Sequence, residues 1–343
     1  MQALNRKIEQ FRKKHGIAGL AVAVTNRTQT LYAAGFGTEN AACPAQPETA
    51  HSLHRIASLT KLTTGLTILR LCEQGLLQLD TPVKAYVPWL ALESKQATDR
   101  LTLRHLLSHR AGLPKEYTPE GPLDESALEP SLQSELPMAH LHGMPGEAAF
   151  LYSNLGIRLA SLAAERVTQK RWSQLATELV LSPLGMQETA FYRQHLPLSV
   201  SLPHERDAQG RLQASSHIKE NAARMAAGGL YSNAADLCKL ARCLLNNAQN
   251  DAGVPIISPE SFAQMCRAHG YYGASEGNDG YGLTMRLHTL GDRLLYGHFG
   301  SAPPYSSALY THRESGLGAV LLLNSPAEPA RDELITLLLD SFS

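Results

Sequence analysis

Apolar and polar positions along this chain follow two rhythms. Residues 17–37, IAGLAVAVTNRTQTLYAAGFG, alternate small apolar and polar residues around TNRTQ, which predicts a β-hairpin over roughly 18–36. Near the other end, RLLYGHF, SSALYTHRE and GLGAVLLLNS read as three strands, with a turn at HRESG joining the second to the third. Elsewhere apolar residues recur at the helical period. The opening MQALNRKIEQFRKKHG is an amphipathic helix, and LTKLTTGLTILRLCEQG, LTLRHLLSHRAG, NLGIRLASLAAERVTQ, RWSQLATELVLSPLG and SNAADLCKLARCLLNN follow. ARDELITLLLDSF closes the chain as a helix, and proline- and glycine-rich stretches at 113–147 and 270–282 separate the helical segments. No internal repeat or low-complexity segment interrupts them.

Strands at both ends with helices between them predict an α/β chain of the α+β type, 1–343, as a single domain. An antiparallel sheet would draw on about 1–60 and 280–343, flanked by helices, with a mostly helical region of about 61–279 inserted. A site is expected in the groove between sheet and helices.

Composition narrows the function. Lys plus Arg (31) equals Asp plus Glu (31), so neither nucleic acid nor an anionic membrane, both of which call for a basic excess, is expected as partner. No apolar run reaches the roughly 20 residues of a membrane span. Five cysteines, at 43, 72, 238, 243 and 266, form no CxxC pair and read as reduced core residues. With no secretory signal at the start, they favour the cytoplasm; a signal removed upstream would make the protein periplasmic or secreted.

Two motifs carry less than they suggest. GASEG, 273–277, fits G-x-S-x-G, but its flanks predict neither the strand nor the helix that exposes such a serine. Ser275 therefore reads as a loop residue. HLLSH sets His105 and His109 at i and i+4, yet Leu106 stands where a zinc protease needs glutamate. Helix-end or structural histidines are the simpler reading, and HLH at 140–142 has no third ligand. No metal or cofactor is expected.

HRIASLTKLTTG, residues 54–65, places Ser58 and Lys61 three apart at a helix start. A cap and a solvated lysine would be the plain account. The helix is apolar on nearly every side, however, so Lys61 is expected to be buried, where an unpaired ammonium is costly and can give up its proton. Spacing i, i+3 stacks its amine beside the Ser58 hydroxyl. Further on, PGEAAFLYSNLG supplies Tyr152 and Asn154 before a helix, and YGHFGSAPPYSS supplies His298, Gly300 and Ser301 at a strand end.

Taken in this order, Ser58-x-x-Lys61, Tyr152-x-Asn154 and His298-x-Gly300 resemble the three motifs of the serine β-lactamase and penicillin-binding-protein superfamily, with Tyr-Ser-Asn resembling its class C branch. RIASLTK, LTLRHLLSHRAGLP, PGEAAFLYSNLG, AAGGLYSNAADLCKLARCLL and GLGAVLLLNS extend the resemblance over roughly 18–325. The resemblance implies an antiparallel sheet with a helical subdomain and an acyl-enzyme formed on Ser58. Lys61 and Tyr152 would share the proton transfers, either one being the base. Asn154 would bind Lys61 and substrate, His298 and Gly300 would line the substrate site, and the N–H groups of Ser58 and Ser301 would form the oxyanion hole. It implies a small ester, amide or peptide as substrate, with carboxylesterase or D-amino-acid amide hydrolase ahead of true β-lactamase or D-Ala-D-Ala carboxypeptidase. A non-catalytic penicillin-binding-like sensor or scaffold is the alternative of another class.

One departure bears on substrate. His298-Phe299-Gly300 stands where relatives carry Lys-Thr-Gly. An unperturbed imidazole would be charged in about a quarter of molecules at pH 7, and Phe299 would set a phenyl ring in place of a hydroxyl. Both changes favour neutral esters or amides over carboxylate-bearing substrates.

Overall fold

The computed structural model describes every residue except 44, 116–119, 196–199, 216, 274–278 and 328–329. The hairpin forms as β1 (Gly19–Thr25) and β2 (Thr30–Gly37). Its turn is fixed by the Asn26 side chain, whose Oδ1 accepts from the N–H groups of Thr28 and Gln29, both at 2.8 Å. Short pairs follow along the chain: β3 (His54–Arg55) with β6 (Tyr231–Ser232), and β4 (His204–Arg206) with β5 (Leu212–Ala214). The C-terminal part contributes β7 (Gly270–Tyr271), β8 (Gly280–Tyr281), β9 (Arg286–Leu290), β10 (Arg293–Ala302), β11 (Tyr305–His312) and β12 (Leu317–Leu323).

These build one eight-stranded antiparallel sheet of order β2-β1-β12-β11-β10-β9-β8-β7. β1 registers Leu20 against Leu323 and Thr25 against Gly318, so N- and C-terminal segments pair inside the sheet, one strand in from the β2 edge. Both of these interior strands are buried along their whole length, which is why GLAVAVT and LGAVLLL read as largely apolar runs. Edge strand β2 is half-buried or exposed along its length apart from Tyr32.

The sheet separates two cores. Leu20, Val22 and Val24 face α1 (Gln2–Lys14) and the closing helix, Arg331–Asp340, through Ile8, Phe11, Leu334 and Leu338. Ala21 and Ala23 face the larger core, formed with the internal helices. Chief among these are α2 (Thr60–Glu73), Asn154–Thr168 and Ala234–Leu245. α2 is buried on nearly every side despite its threonines. Thr63 and Thr67 donate back to the carbonyls of Thr60 and Thr63, each at 2.8 Å, which lets β-branched polar residues sit in an apolar helix.

Two helical readings change. LTLRHLLSHRAG is helical only over Leu103–Leu107, because His109 turns the backbone left-handed at φ 56°. RWSQLATELVLSPLG divides into Trp172–Ala176 and a π-helical turn over Thr177–Leu181. The sheet also reaches further than expected, since β7 and β8 both fall in the stretch read as a separator. Among the described residues no helix is long and apolar enough to cross a membrane.

Candidate active site

The residues singled out from the sequence converge where α2 begins beneath the free end of β10. Strand β9 pairs with β10 only over Arg293–Gly297. From His298 to Ala302, β10 keeps β11 on one edge, while the turn that carries Ser58 packs beside it. This turn, Ala57–Leu59, is a single 3-10 turn leading into α2.

Backbone geometry at the turn is unusual. Ala57 has φ 49°, a left-handed conformation that L-residues avoid at a cost of roughly 1–2 kcal/mol. Several bonds hold it there. The Thr60 hydroxyl donates to the Ala57 carbonyl at 2.7 Å and accepts from the Leu230 N–H at 3.2 Å. Ile56 N–H donates to the Leu230 carbonyl at 3.0 Å, and the Ser307 hydroxyl donates to the Ile56 carbonyl at 2.8 Å. Gly300 completes the fit: a Cβ there would lie 2.2 Å from the Ile56 oxygen, 2.3 Å from Ser307 Oγ and 3.2 Å from the Ala57 Cβ. Only glycine lets β10 approach this closely. Ser58 and Ser301 each follow one member of that Ala57–Gly300 contact, so they flank the same gap.

Lys61 lies one turn into α2 and is 0 % exposed. Its Nζ is 3.1 Å from Ser58 Oγ, 2.8 Å from Asn154 Oδ1 and 2.6 Å from the Ala227 carbonyl oxygen. Two of these neighbours can only accept, whereas the hydroxyl can donate or accept. A neutral amine, with two hydrogens and one lone pair, is therefore satisfied as fully as an ammonium. Asn154 reaches Nζ because Ser153 starts its helix, accepting from Gly156 N–H at 3.2 Å. Ala227 belongs to a short helix, Met225–Gly228, pinned to α2 by the Thr64 hydroxyl on the Ala226 carbonyl at 2.6 Å.

Tyr152 stands over this group, with Lys61 Nζ 4.8 Å from its ring centroid. Its buried hydroxyl makes no hydrogen bond. Burial pushes its pKa well above 10; the nearby Ser58 hydroxyl and the Arg224 and Arg286 charges pull the other way without prevailing. Tyr152 is thus a phenol, not a phenolate, in the free protein. His109 stacks on it at 4.3 Å between centroids and on Tyr281 at 4.9 Å, and its Nδ1 accepts from Ser153 N–H at 3.2 Å. Burial, with Lys61 and His298 nearby, pushes its pKa well below 6.5.

His298 differs from expectation. It is 0 % exposed, and burial, the largest cause, pushes its pKa down to about 3. It is neutral at pH 7, not a quarter charged. Phe299 differs too: strand alternation turns it to the opposite sheet face, into the core with α1 and the closing helix. There it lies between the guanidiniums of Arg286 and Arg331, 4.7 and 4.3 Å from its centroid, so its ring does not fill the groove.

Sequence reasoning missed Thr60, His109, Ala227 and Tyr281 as members of this group. Only His109 had a signal, its i, i+4 spacing from His105, which reads as helix-end or structural histidines; with the helix ending at Leu107, the two do not share a helical face. His105 instead helps cap its own short helix at Thr102. Ser275 lies outside the described residues. Among the described residues no three metal-binding side chains cluster.

The family model described as Beta-lactamase matches residues 4–341. Protein flp of Staphylococcus aureus (strain MW2) is 30% identical over 193 residues, 55% of this chain and 38% of flp, so the chain spans well under half of that relative. An octameric penicillin-binding protein homologue from Pyrococcus abyssi superposes with a TM-score of 0.84 at 25% identity, covering 99% of this chain and 77% of that one. The D-amino acid amidase of Ochrobactrum anthropi SV3, in a complex with D-phenylalanine, gives 0.79 at 22% identity over 99% of both chains, a likeness of fold alone. With the family model spanning nearly its whole length, the chain belongs to the beta-lactamase family.

Proposed function

We propose that this chain is a serine hydrolase that acts through an acyl-enzyme on ester or amide bonds of small substrates. One observation carries the reading: Lys61 Nζ lies 3.1 Å from Ser58 Oγ, with its remaining hydrogens directed to Asn154 and Ala227. In acylation the Ser58 proton passes to the neutral Lys61 amine while Oγ bonds to the substrate carbonyl carbon. The oxyanion takes hydrogen bonds from the N–H groups of Ser58 and Ser301, each worth about 3 kcal/mol in the transition state. As the scissile bond breaks, the Tyr152 phenol protonates the leaving oxygen or nitrogen, and Lys61 returns its extra proton to Tyr152. Water then enters by the reverse sequence and frees the acid. Tyr152, held protonated by burial, suits the acid role and leaves the base role to Lys61.

Neutral substrates are favoured. His298 itself offers no positive charge to a carboxylate, since that imidazole is uncharged and buried. A carboxylesterase or an amidase acting on D-amino-acid amides fits; the Ochrobactrum amidase of the same fold supports including the latter. The penicillin-binding protein homologue from Pyrococcus keeps β-lactamase or D-Ala-D-Ala carboxypeptidase as the second reading.

The test pairs a fluorophosphonate probe with a turnover screen of p-nitrophenyl butyrate, D-phenylalanine amide and nitrocefin. The adduct is expected on the peptide containing Ser58 and absent in Ser58→Ala, with the ester or amide ahead of nitrocefin in kcat/KM. An adduct on Ser275 overturns the assignment. Preference for nitrocefin transfers the function to the second reading, and failure of every probe and substrate leaves a non-catalytic scaffold.

A further inference from the structure

His298 is enclosed on every side. Facing it are Tyr281 from β8, Tyr152 from the segment before the Asn154 helix, and Lys61 from α2. His109, Arg286 of β9 and Arg331 of the closing helix complete the surroundings. Its Nδ1 sits against the Phe299 carbonyl, which can only accept, so Nδ1 carries the hydrogen. Its Nε2 is 3.0 Å from the Tyr281 hydroxyl. In a neutral ring whose Nδ1 is protonated, Nε2 has only a lone pair, so the Tyr281 O–H is the donor. Tyr281 is 0 % exposed and its ring meets the imidazole edge-on, centroids 5.7 Å apart at 89°.

The neighbouring phenol is in the opposite condition. The Tyr152 hydroxyl is buried and has no hydrogen-bond partner, and its ring centroid is 6.1 Å from that of His298. A buried donor without a well-formed hydrogen bond is costly, so an open Nε2 lone pair on the neighbouring imidazole would compete for it with the nearby Ser58 hydroxyl. Tyr281 already occupies that lone pair.

We propose that Tyr281 is a positioning residue for the reaction: by donating to Nε2 of His298 it withholds that acceptor from Tyr152, and so keeps the Tyr152 proton available to the leaving group. The catalytic part rests on the serine hydrolase reading above; the hydrogen bond and the tautomer do not.

Tyr281→Phe tests it with the ring retained. Freed Nε2 captures the Tyr152 hydroxyl, so kcat is expected to fall between about tenfold and a hundredfold, part of what a positioned acid contributes, with KM nearly unchanged. With His298→Leu, which removes the acceptor, adding Tyr281→Phe should cost nothing further in kcat. Undiminished kcat in the single variant, or losses that multiply in the double, would overturn the proposal. A merely structural role would lower the melting temperature and multiply. Imidazole nitrogen NMR of the wild-type protein, with His298 assigned by its absence in His298→Leu, should show protonated Nδ1 and an acceptor Nε2 between pH 5 and 8. A protonated Nε2 refutes the hydrogen bond whatever the activity. Absence of a fluorophosphonate adduct on Ser58 instead strikes the hydrolase reading, and the NMR result still decides the hydrogen bond.

Discussion

Replacing Gly300 by alanine adds one methyl group at the contact between β10 and the Ser58 turn. The new Cβ would lie 2.2 Å from the Ile56 carbonyl oxygen and 2.3 Å from Ser307 Oγ. Ordinary contact needs about 3.4 Å or more, so strand and turn must separate by about 1 Å, on the scale of a close-packed interior. Both atoms met are rigidly held, since Ser307 itself bonds Ile56 at 2.8 Å and Ile56 bonds Leu230 at 3.0 Å. Overpacking of this kind costs about 1–3 kcal/mol, and losing the Ser307 bond adds about 1 kcal/mol. The catalytic effect should be larger in proportion. A displacement near 1 Å between the Ser58 and Ser301 N–H groups costs on the order of a hundredfold in rate.

The assay compares kcat on p-nitrophenyl butyrate, the rate of fluorophosphonate labelling and the melting temperature. Gly75→Ala is the control: Gly75 also has a positive φ, 75°, but nothing lies within 4 Å of a Cβ there. It should lose stability through backbone strain and keep full kcat. A Gly300→Ala protein that is folded and turns over at the wild-type rate would refute the close approach as the source of the oxyanion geometry.

Lys61→Ala and Tyr152→Phe should each cost orders of magnitude in kcat and the double variant little more, because the two act as one unit; losses that multiply in single-turnover kinetics would count against the shared proton path. Thr60→Val removes the bonds to Ala57 and Leu230 at 2.7 and 3.2 Å and should cost about 2 kcal/mol in denaturant unfolding with a matching fall in kcat; unchanged activity would show that the Ala57 turn holds itself. A third expectation concerns stability against pH. Burial pushes Glu48 up to about 8 from 4.5 and His54 down to about 4 from 6.5, the two facing each other at 3.5 Å. Between pH 4.5 and 6.5 the pair holds one proton folded or unfolded; above 6.5 the unfolded chain holds fewer, so stability falls until about pH 8, and below 4.5 it holds more, so stability falls again. Glu48→Gln should abolish the alkaline decline in melting temperature, and persistence of that decline would place its cause elsewhere.

The hairpin and the last three strands were legible because their signals are local, an alternation or an apolar run bounded by turn residues. Ser58 and Lys61 stood out because a lysine in a helix apolar on nearly every side needs a reason. β7 and β8 were not: Gly270–Tyr271 and Gly280–Tyr281 are two residues each, too short to show a period, and their neighbours in the sheet specify them. Ala227 contributes a backbone carbonyl, which leaves no trace in side-chain chemistry. Phe299 could have been placed correctly, since neighbours on a strand face opposite ways. Reading His298-Phe299-Gly300 as a motif set both side chains in the groove. The charge of His298 was beyond sequence, because it depends on burial created by residues scattered from Lys61 to Arg331.

That burial also accounts for how protons are arranged at the site. Around Lys61 stand two imidazoles, His109 and His298, pushed towards the neutral form, and two phenols, Tyr152 and Tyr281, pushed towards the protonated form. One cause acts on all four, since withdrawal from water penalises whichever form is charged. Each is left with a single protonation state over the working range of pH. Lys61 alone among the five has surroundings that suit both of its states, because Asn154 and Ala227 accept in either case and the Ser58 hydroxyl can reverse its role. An aromatic enclosure that holds the other four groups in one form each leaves one amine to carry protons in the proposed reaction, and that amine touches Ser58 Oγ, its proposed nucleophile.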